Sequence, residues 1–203
     1  MSLRRLVLWR HGETDYNAAG RMQGHIDSAL TEVGWNQARF AAPALARFEP
    51  DLVIASDLRR ATDTATVLTD AIGVPLRIDK RLRETHLGDW QGLTGAEVDE
   101  KAPGERDRWR TDATWAPPGG ESRIDVAERA GEVVNDLLRS DDGHQTVLLA
   151  AHGGLIVAVT AHLLGLPVSL WPSLGGISNC HWVELVRRDD VWRLHAYNAG
   201  MTG

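Results

Sequence analysis

The apolar run Leu6-Val7-Leu8-Trp9 passes directly into Arg10-His11-Gly12-Glu13-Thr14. Four apolar residues bounded by charge read as a buried strand. The pattern occurs twice more. Leu52 to Ala55 runs into Ser56-Asp57-Leu58-Arg59-Arg60, and Thr146 to Ala151 into His152-Gly153-Gly154. Helical stretches separate these strands. Thr31 to Phe48 carries Trp35, Ala38, Ala42 and Leu45 at helical spacing, with Thr31 as N-cap and Pro43 inside, where a kink is expected. Ser56 or Asp57 is expected to cap a helix that ends near Ile72, before Gly73 and Pro75. A short strand, Leu76 to Asp79, comes next. Ser122, with Asp125 three residues on, begins a helix to about Arg139. Gly154 to Leu164 is expected to be helical, and residues 177–186 and 191–197 to be strands.

This alternation predicts an α/β fold. We expect a three-layer sandwich with a mostly parallel central sheet flanked by helices and a C-terminal antiparallel hairpin. Residues 85–121 break the pattern. Rich in Gly and Pro, they hold Trp90, Trp109 and Trp115, and read as an irregular insertion with one or two short helices. Long loops inside compact domains usually serve function. A chain of 203 residues is expected to form one domain, 1–203.

Composition narrows the function. Lys plus Arg is 22 against 28 Asp plus Glu, a net charge of −6, which argues against a nucleic-acid partner. The N-terminal apolar run is too short for a signal peptide core. The longest apolar region, Val147 to Leu166, is interrupted by His152, His162 and three glycines, so no membrane span is expected. The single cysteine, Cys180, suits a reducing compartment, and a cytoplasmic location is expected. Phosphate-loop, dinucleotide, C-x-x-C, H-E-x-x-H and G-x-S-x-G signatures are all missing, and position 186 is Val where a cysteine phosphatase needs Arg. What remains is histidine beside arginine at strand ends. Ligands of open α/β sheets sit outside the carboxyl ends of the strands. Arginine presents planar donors to phosphate oxygens, and a neutral imidazole can attack phosphorus.

Arg10-His11-Gly12-Glu13-Thr14 resembles the signature of the histidine phosphatase superfamily, in its phosphoglycerate mutase-like branch. Further blocks follow in order. They are Asn17, Arg21 and Gln23-Gly24; Ser56-x-Leu58-x-Arg60-Ala61; Leu82-x-Glu84 with Gly88-x-Trp90-x-Gly92; Gly120-Glu121-Ser122; and Ala151-His152-Gly153-Gly154. The resemblance implies that His11 is the nucleophile. Arg10, Arg60 and His152 would stabilise the phosphoryl charge, and Glu84 would protonate the leaving alcohol. Asn17, Gln23, Gly24 and Gly153 would contact phosphate or substrate. No metal or cofactor is required by this scheme. His86, two residues after Glu84, and Trp115, in the Pro/Gly-rich stretch, are further candidates for the substrate pocket. The bland alternatives are a surface salt bridge for Glu84 and a structural role for His152.

The family contains mutases and phosphatases. Only six residues follow Tyr197, and the string after Glu84 is Thr85-His86-Leu87-Gly88 rather than the mutase pattern, so a phosphatase is favoured. Residues 81–94, 112–117 and 119–123 resemble the subgroup that acts on glucosyl-3-phosphoglycerate, a sugar-acid phosphate. A broad-specificity phosphatase, a mutase and a protein that only binds a phosphorylated metabolite stay open here. Relatives of this kind are often dimers, so a homodimer is expected.

Overall fold

A computed structural model describes residues 3–140 and 142–201. The strands and helices follow the apolar pattern in chain order. They are β1 (Arg5–Arg10), α1 (Asp15–Ala18), α2 (Glu32–Ala46), β2 (Leu52–Ala55), α3 (Arg59–Ile72), β3 (Leu76–Ile78), α4 (Gly95–Lys101), α5 (Glu105–Thr111), α6 (Arg123–Arg139), β4 (Thr146–Ala151), α7 (Gly153–Leu163), β5 (Trp182–Arg188) and β6 (Val191–Ala199). One sheet has the order β3-β2-β4-β1-β5-β6. The first four strands in that order are parallel, and β5 and β6 add an antiparallel pair.

Each central strand is buried on both faces, and alternate residues feed two cores. Leu6, Leu8, Leu149 and Ala151 pack with Val126, Ala130, Leu155 and Ile156 of α6 and α7. Val7, Trp9, Leu148 and Ala150 pack with Ala38, Leu45, Ala65 and Leu68 of α2 and α3. α2, which follows β1, therefore covers one face, and α7, which follows the adjacent β4, covers the other. That divergence opens a crevice at the carboxyl ends of β1 and β4, where α/β sheets bind ligands.

Several local expectations hold in detail. Thr31 caps α2, and Ser122 with Asp125 forms a reciprocal capping box on α6. By contrast, Pro43 does not interrupt α2, which runs as one helix from Glu32 to Ala46. Gly73 ends α3 in the left-handed conformation.

Others are corrected. The N-cap of α3 is Leu58, with no side-chain cap bond, rather than Ser56 or Asp57. Asp57 instead pairs with Arg83, and the carboxylate of Asp27 accepts from Arg59 N at 2.7 Å, so a distant loop satisfies the helix end. The strand expected from 177 begins only at Trp182. Cys180 has φ +56°, and Ser178 N donates to the Asn198 side chain, so residues 177–181 form a loop. The hairpin turn is two residues long, Asp189 and Asp190, both at positive φ, as a tight hairpin requires.

The insertion holds a 3₁₀ turn at Gly88–Trp90 together with α4 and α5. Its own small core is Leu87, Trp90 and Val98, packed against Met22, Leu93, Trp109 and Trp115. Among the described residues, no helix is long and apolar enough to cross a membrane.

Candidate active site

Sheet register brings the two histidines together. Arg10 of β1 stands level with Ala151 of the parallel strand β4. The next residues, His11 and His152, leave the sheet side by side with ring centroids 5.1 Å apart. His11 is 2% exposed and His152 is fully buried. A carbonyl only accepts, so His11 Nδ1–H donates to Gly12 O at 2.7 Å. His11 Nε2 is thereby the nitrogen with the lone pair. An added Cβ at Gly12 would strike the Gly34 carbonyl, so only glycine lets this loop pack there. Gly12 N is held by Thr64 Oγ1 at 3.1 Å.

Arg60 comes from the first turn of α3 and is completely buried. Its Nε–H donates to His152 Nδ1 at 3.2 Å, and its two Nη atoms donate to Ile26 O and Gly24 O at 2.7 and 2.8 Å. The bond to Nδ1 makes His152 the Nε2–H tautomer, and that buried Nε2 has no partner. Arg10 donates through Nη1 to Ile177 O at 2.6 Å, and its buried Nε also lacks a partner. Buried donors without acceptors cost free energy unless a ligand satisfies them. These donors ring His11.

Burial, then the fields of Arg10 and Arg60, hold the His11 pKa well below 6.5. Burial, then Arg60, does the same for His152. Both rings are neutral at pH 7. Burial lowers Arg60 to about 10, which leaves it cationic.

Two amides complete this lobe. Asn17 Oδ1 accepts from Thr14 N and from Asn179 Nδ2. Gln23 Oε1 accepts from Thr14 Oγ1 and Ser28 Oγ. Their oxygens are committed, so Asn17 and Gln23 offer NH₂ donors to the cavity they line. Gly24, at φ +53°, lines it too and holds Arg60 with its carbonyl.

Glu84 stands across the cavity. Its carboxylate sits at the N-terminus of α7, accepting from Gly154 N and Leu155 N at 3.0 Å each and from Thr85 N at 2.8 Å. Its backbone is clamped as well. Arg129 of α6 donates to the carbonyls of Arg81, Arg83 and Glu84 at 2.7–2.8 Å and pairs with Glu121. His25 Nε2 donates to Glu84 O at 2.7 Å. Burial alone would raise the Glu121 carboxyl, but the hydrogen bonds from Arg129 and from His86 N, with the Arg129 charge, more than reverse this and hold it below its ordinary value.

Of the residues singled out from sequence, Arg10, His11, Asn17, Gln23, Gly24, Arg60 and Glu84 line one cavity of about 210 Å³. Gly153 lines an adjoining one, where an added Cβ would meet Arg10 Nε at 3.3 Å. His152 lies beside His11 and lines neither cavity. Two further candidates also fall outside both. Trp115 packs its ring against Trp90, with Arg108 over its face, and the indole on the cavity wall is Trp109. His86 is held by Glu121 and Gly119 and stacks edge-on against His25, so it reaches Glu84 only through that ring. Sequence reasoning missed Thr64, Asn179, Arg123 and Arg129. Thr64 lies one helical turn beyond Arg60 and Arg123 ends the 119–123 stretch, whereas no local pattern marked Asn179 or Arg129. Among the described residues, no three His, Cys, Asp or Glu side chains cluster as a metal set.

Comparison with known proteins agrees with this geometry. Residues 6–200 match the family described as Histidine phosphatase superfamily (branch 1). The chain is 53% identical to glucosyl-3-phosphoglycerate phosphatase of Mycolicibacterium vanbaalenii, over 98% of this chain and 96% of that protein. It is 51% identical to the Mycobacterium tuberculosis protein of the same name, with the same coverage. A solved structure of mycobacterial glucosyl-3-phosphoglycerate phosphatase in complex with VO3 superposes with a TM-score of 0.94 at 54% identity, covering 97% of this chain and all of that one (100%). With this match across nearly its full length, and with two neutral histidines ringed by arginines at the sheet edge, the chain belongs to the histidine phosphatase superfamily, branch 1.

Proposed function

We propose that this chain hydrolyses phosphomonoesters through a phosphohistidine on His11, and that its substrate is glucosyl-3-phosphoglycerate, released as glucosylglycerate. One observation carries the chemistry. A buried, neutral imidazole has Nδ1 tied to Gly12 O and stands among arginines and an unpaired His152 Nε2–H. His11 Nε2 attacks phosphorus, and the P–O bond to the alcohol breaks as the P–N bond forms. Glu84 gives its proton to the departing oxygen. Arg10, Arg60, His152 and the amides of Asn17 and Gln23 hold the three phosphoryl oxygens. Phosphoryl transfer needs mostly positioning and charge stabilisation, and these groups supply both. In the second half-reaction Glu84 takes a proton from water. The water oxygen bonds phosphorus, and the P–N electrons return to His11.

The substrate reading is supported by relatives that match over nearly the whole chain, insertion included. The same reading takes residues 1–203 as one catalytic domain, cytoplasmic and homodimeric, with a small phosphorylated metabolite as its partner. The test is phosphate release, with a chelator present, from glucosyl-3-phosphoglycerate, 3-phosphoglycerate and an aryl phosphate. A kcat/KM for the glucosylated ester ahead by ~10²-fold is expected. His11→Ala should abolish turnover; unchanged turnover overturns the nucleophile. Equal rates on all three esters overturn the substrate.

A further inference from the structure

The cavity that holds His11 continues past Glu84. A second cavity, of about 280 Å³, shares Arg10, Glu84, Thr85, Trp109 and Gly154 with the first. His11, Arg60 and the two amides line only the first lobe, whereas Arg123 lines only the second. Glu84 stands between them. A group that protonates the leaving oxygen must touch the bond between phosphorus and alcohol. The phosphoryl group therefore fills the His11 side, and the alcohol extends into the Arg123 side.

Arg123 is the first residue of α6, directly after the capping Ser122. Its guanidinium makes one long hydrogen bond, 3.4 Å to Arg110 O, and lies 5.2 Å over the Trp109 ring. No carboxylate pairs with it among the described residues. Arg21, on the rim of the first lobe, is by contrast paired with Glu97. Burial lowers the Arg123 pKa, partly offset by the charge of Glu84. A half-buried cation that faces a cavity with most of its donors unused is matched by an anion, and its planar fork fits a carboxylate bidentately. Neutral hydroxyls would not require a charge there. Trp109 adds a flat apolar wall for the carbon skeleton beside it.

Resting on the phosphatase reading, we propose that Arg123 binds a carboxylate carried by the leaving alcohol, so that this lobe selects phosphate esters of hydroxy acids. The test compares 3-phosphoglycerate with its uncharged carboxamide, in the wild-type protein and in Arg123→Gln. The wild type should prefer the acid by about 10-fold or more in kcat/KM. Arg123→Gln should bring the ratio to within about 3-fold by slowing the acid far more than the amide. Arg123→Lys, which keeps the charge and loses the fork, should fall between. Calorimetric binding of both esters to His11→Ala, with and without Arg123→Gln, reads the same preference without turnover. A ratio unmoved by Arg123→Gln, or equal losses on acid and amide, overturns the carboxylate site while hydrolysis still stands. Failure of the wild type to release phosphate from any ester overturns the phosphatase reading instead, and the calorimetry then decides the Arg123 site alone.

Discussion

Gly154→Ala isolates the placement of Glu84 from its chemistry. Gly154 is the second residue of α7, and its N–H holds Glu84 Oε2 at 3.0 Å. An ideal Cβ there would lie 2.7 Å from Glu84 Oε1, 3.0 Å from Thr85 Oγ1 and 3.3 Å from Glu84 Cδ. Carbon contacts relax at about 3.5 Å, so the carboxyl must retreat by roughly 0.5–1 Å. A shift near 1 Å from productive geometry costs up to about 10²-fold. General acid help is worth ~10²–10⁴-fold, and it matters most when the leaving oxygen is basic. We expect kcat on an alkyl phosphate to fall by ~10²-fold. On an aryl phosphate, whose leaving group departs with little proton help, the loss should stay within about 5-fold. Stability should fall by about 0–2 kcal/mol, because Ala gains about 1 kcal/mol over Gly in a helix and the crowding costs about 1–3 kcal/mol. Steady-state phosphate release on both esters, with a thermal melt as control, measures this. An alkyl-ester kcat within about 3-fold of wild type, or equal losses on both esters, would refute the placement argument.

Two other outcomes follow from the same site. His11 and His152 stay neutral in the folded protein well below 6.5, whereas the unfolded chain protonates them near 6.5. The unfolded state then binds more protons as pH falls below about 6.5, and stability drops by up to ~1.4 kcal/mol per pH unit for each ring. Urea unfolding at pH 7.5 and 5.5 should show a lower midpoint at 5.5, and an unmoved midpoint counts against two buried neutral imidazoles. Arg129→Gln strips three carbonyls and Glu121 of their donor, and should cost about 2–3 kcal/mol in urea. Its activity loss should be larger on alkyl than on aryl esters, because the Glu84 backbone loses its clamp, while a loss that ignores the leaving group would make Arg129 purely structural.

The histidines and arginines at the strand ends were legible because each sits beside a strong local signal, whereas Glu84, Asn17 and Gln23 were named only by the resemblance to the family. His11, Arg60 and His152 each follow a short run of apolar residues that can only be buried strand. Thr31 and Ser122 announce helix starts through bonds to residues three positions on, which a linear reading sees. The three strand ends could therefore be named from sequence as one edge. Their order in the sheet could not. That β4 lies beside β1, with Arg10 level with Ala151, is decided by pairing of residues some 140 positions apart.

The choice between tryptophans shows the same boundary. Trp109, between Arg108 and Arg110, and Trp115, between Thr114 and Ala116, lie six residues apart in one insertion, and no periodicity separates them. Trp90 packs against both, and the turn after α5 sends Trp115 to its flank and leaves Trp109 on the cavity wall. The cap of α3, supplied by Asp27, and the Glu84 clamp, supplied by Arg129, are likewise bonds between distant loops and helices. Capping, turn chemistry and burial period act over a few residues, so the amino-acid sequence by itself determined the central strands and most helix starts, and its short ordered motifs named the reacting groups through their resemblance to the family. Which groups meet depends on sheet register and on how the insertion packs, and only the tertiary structure decided that.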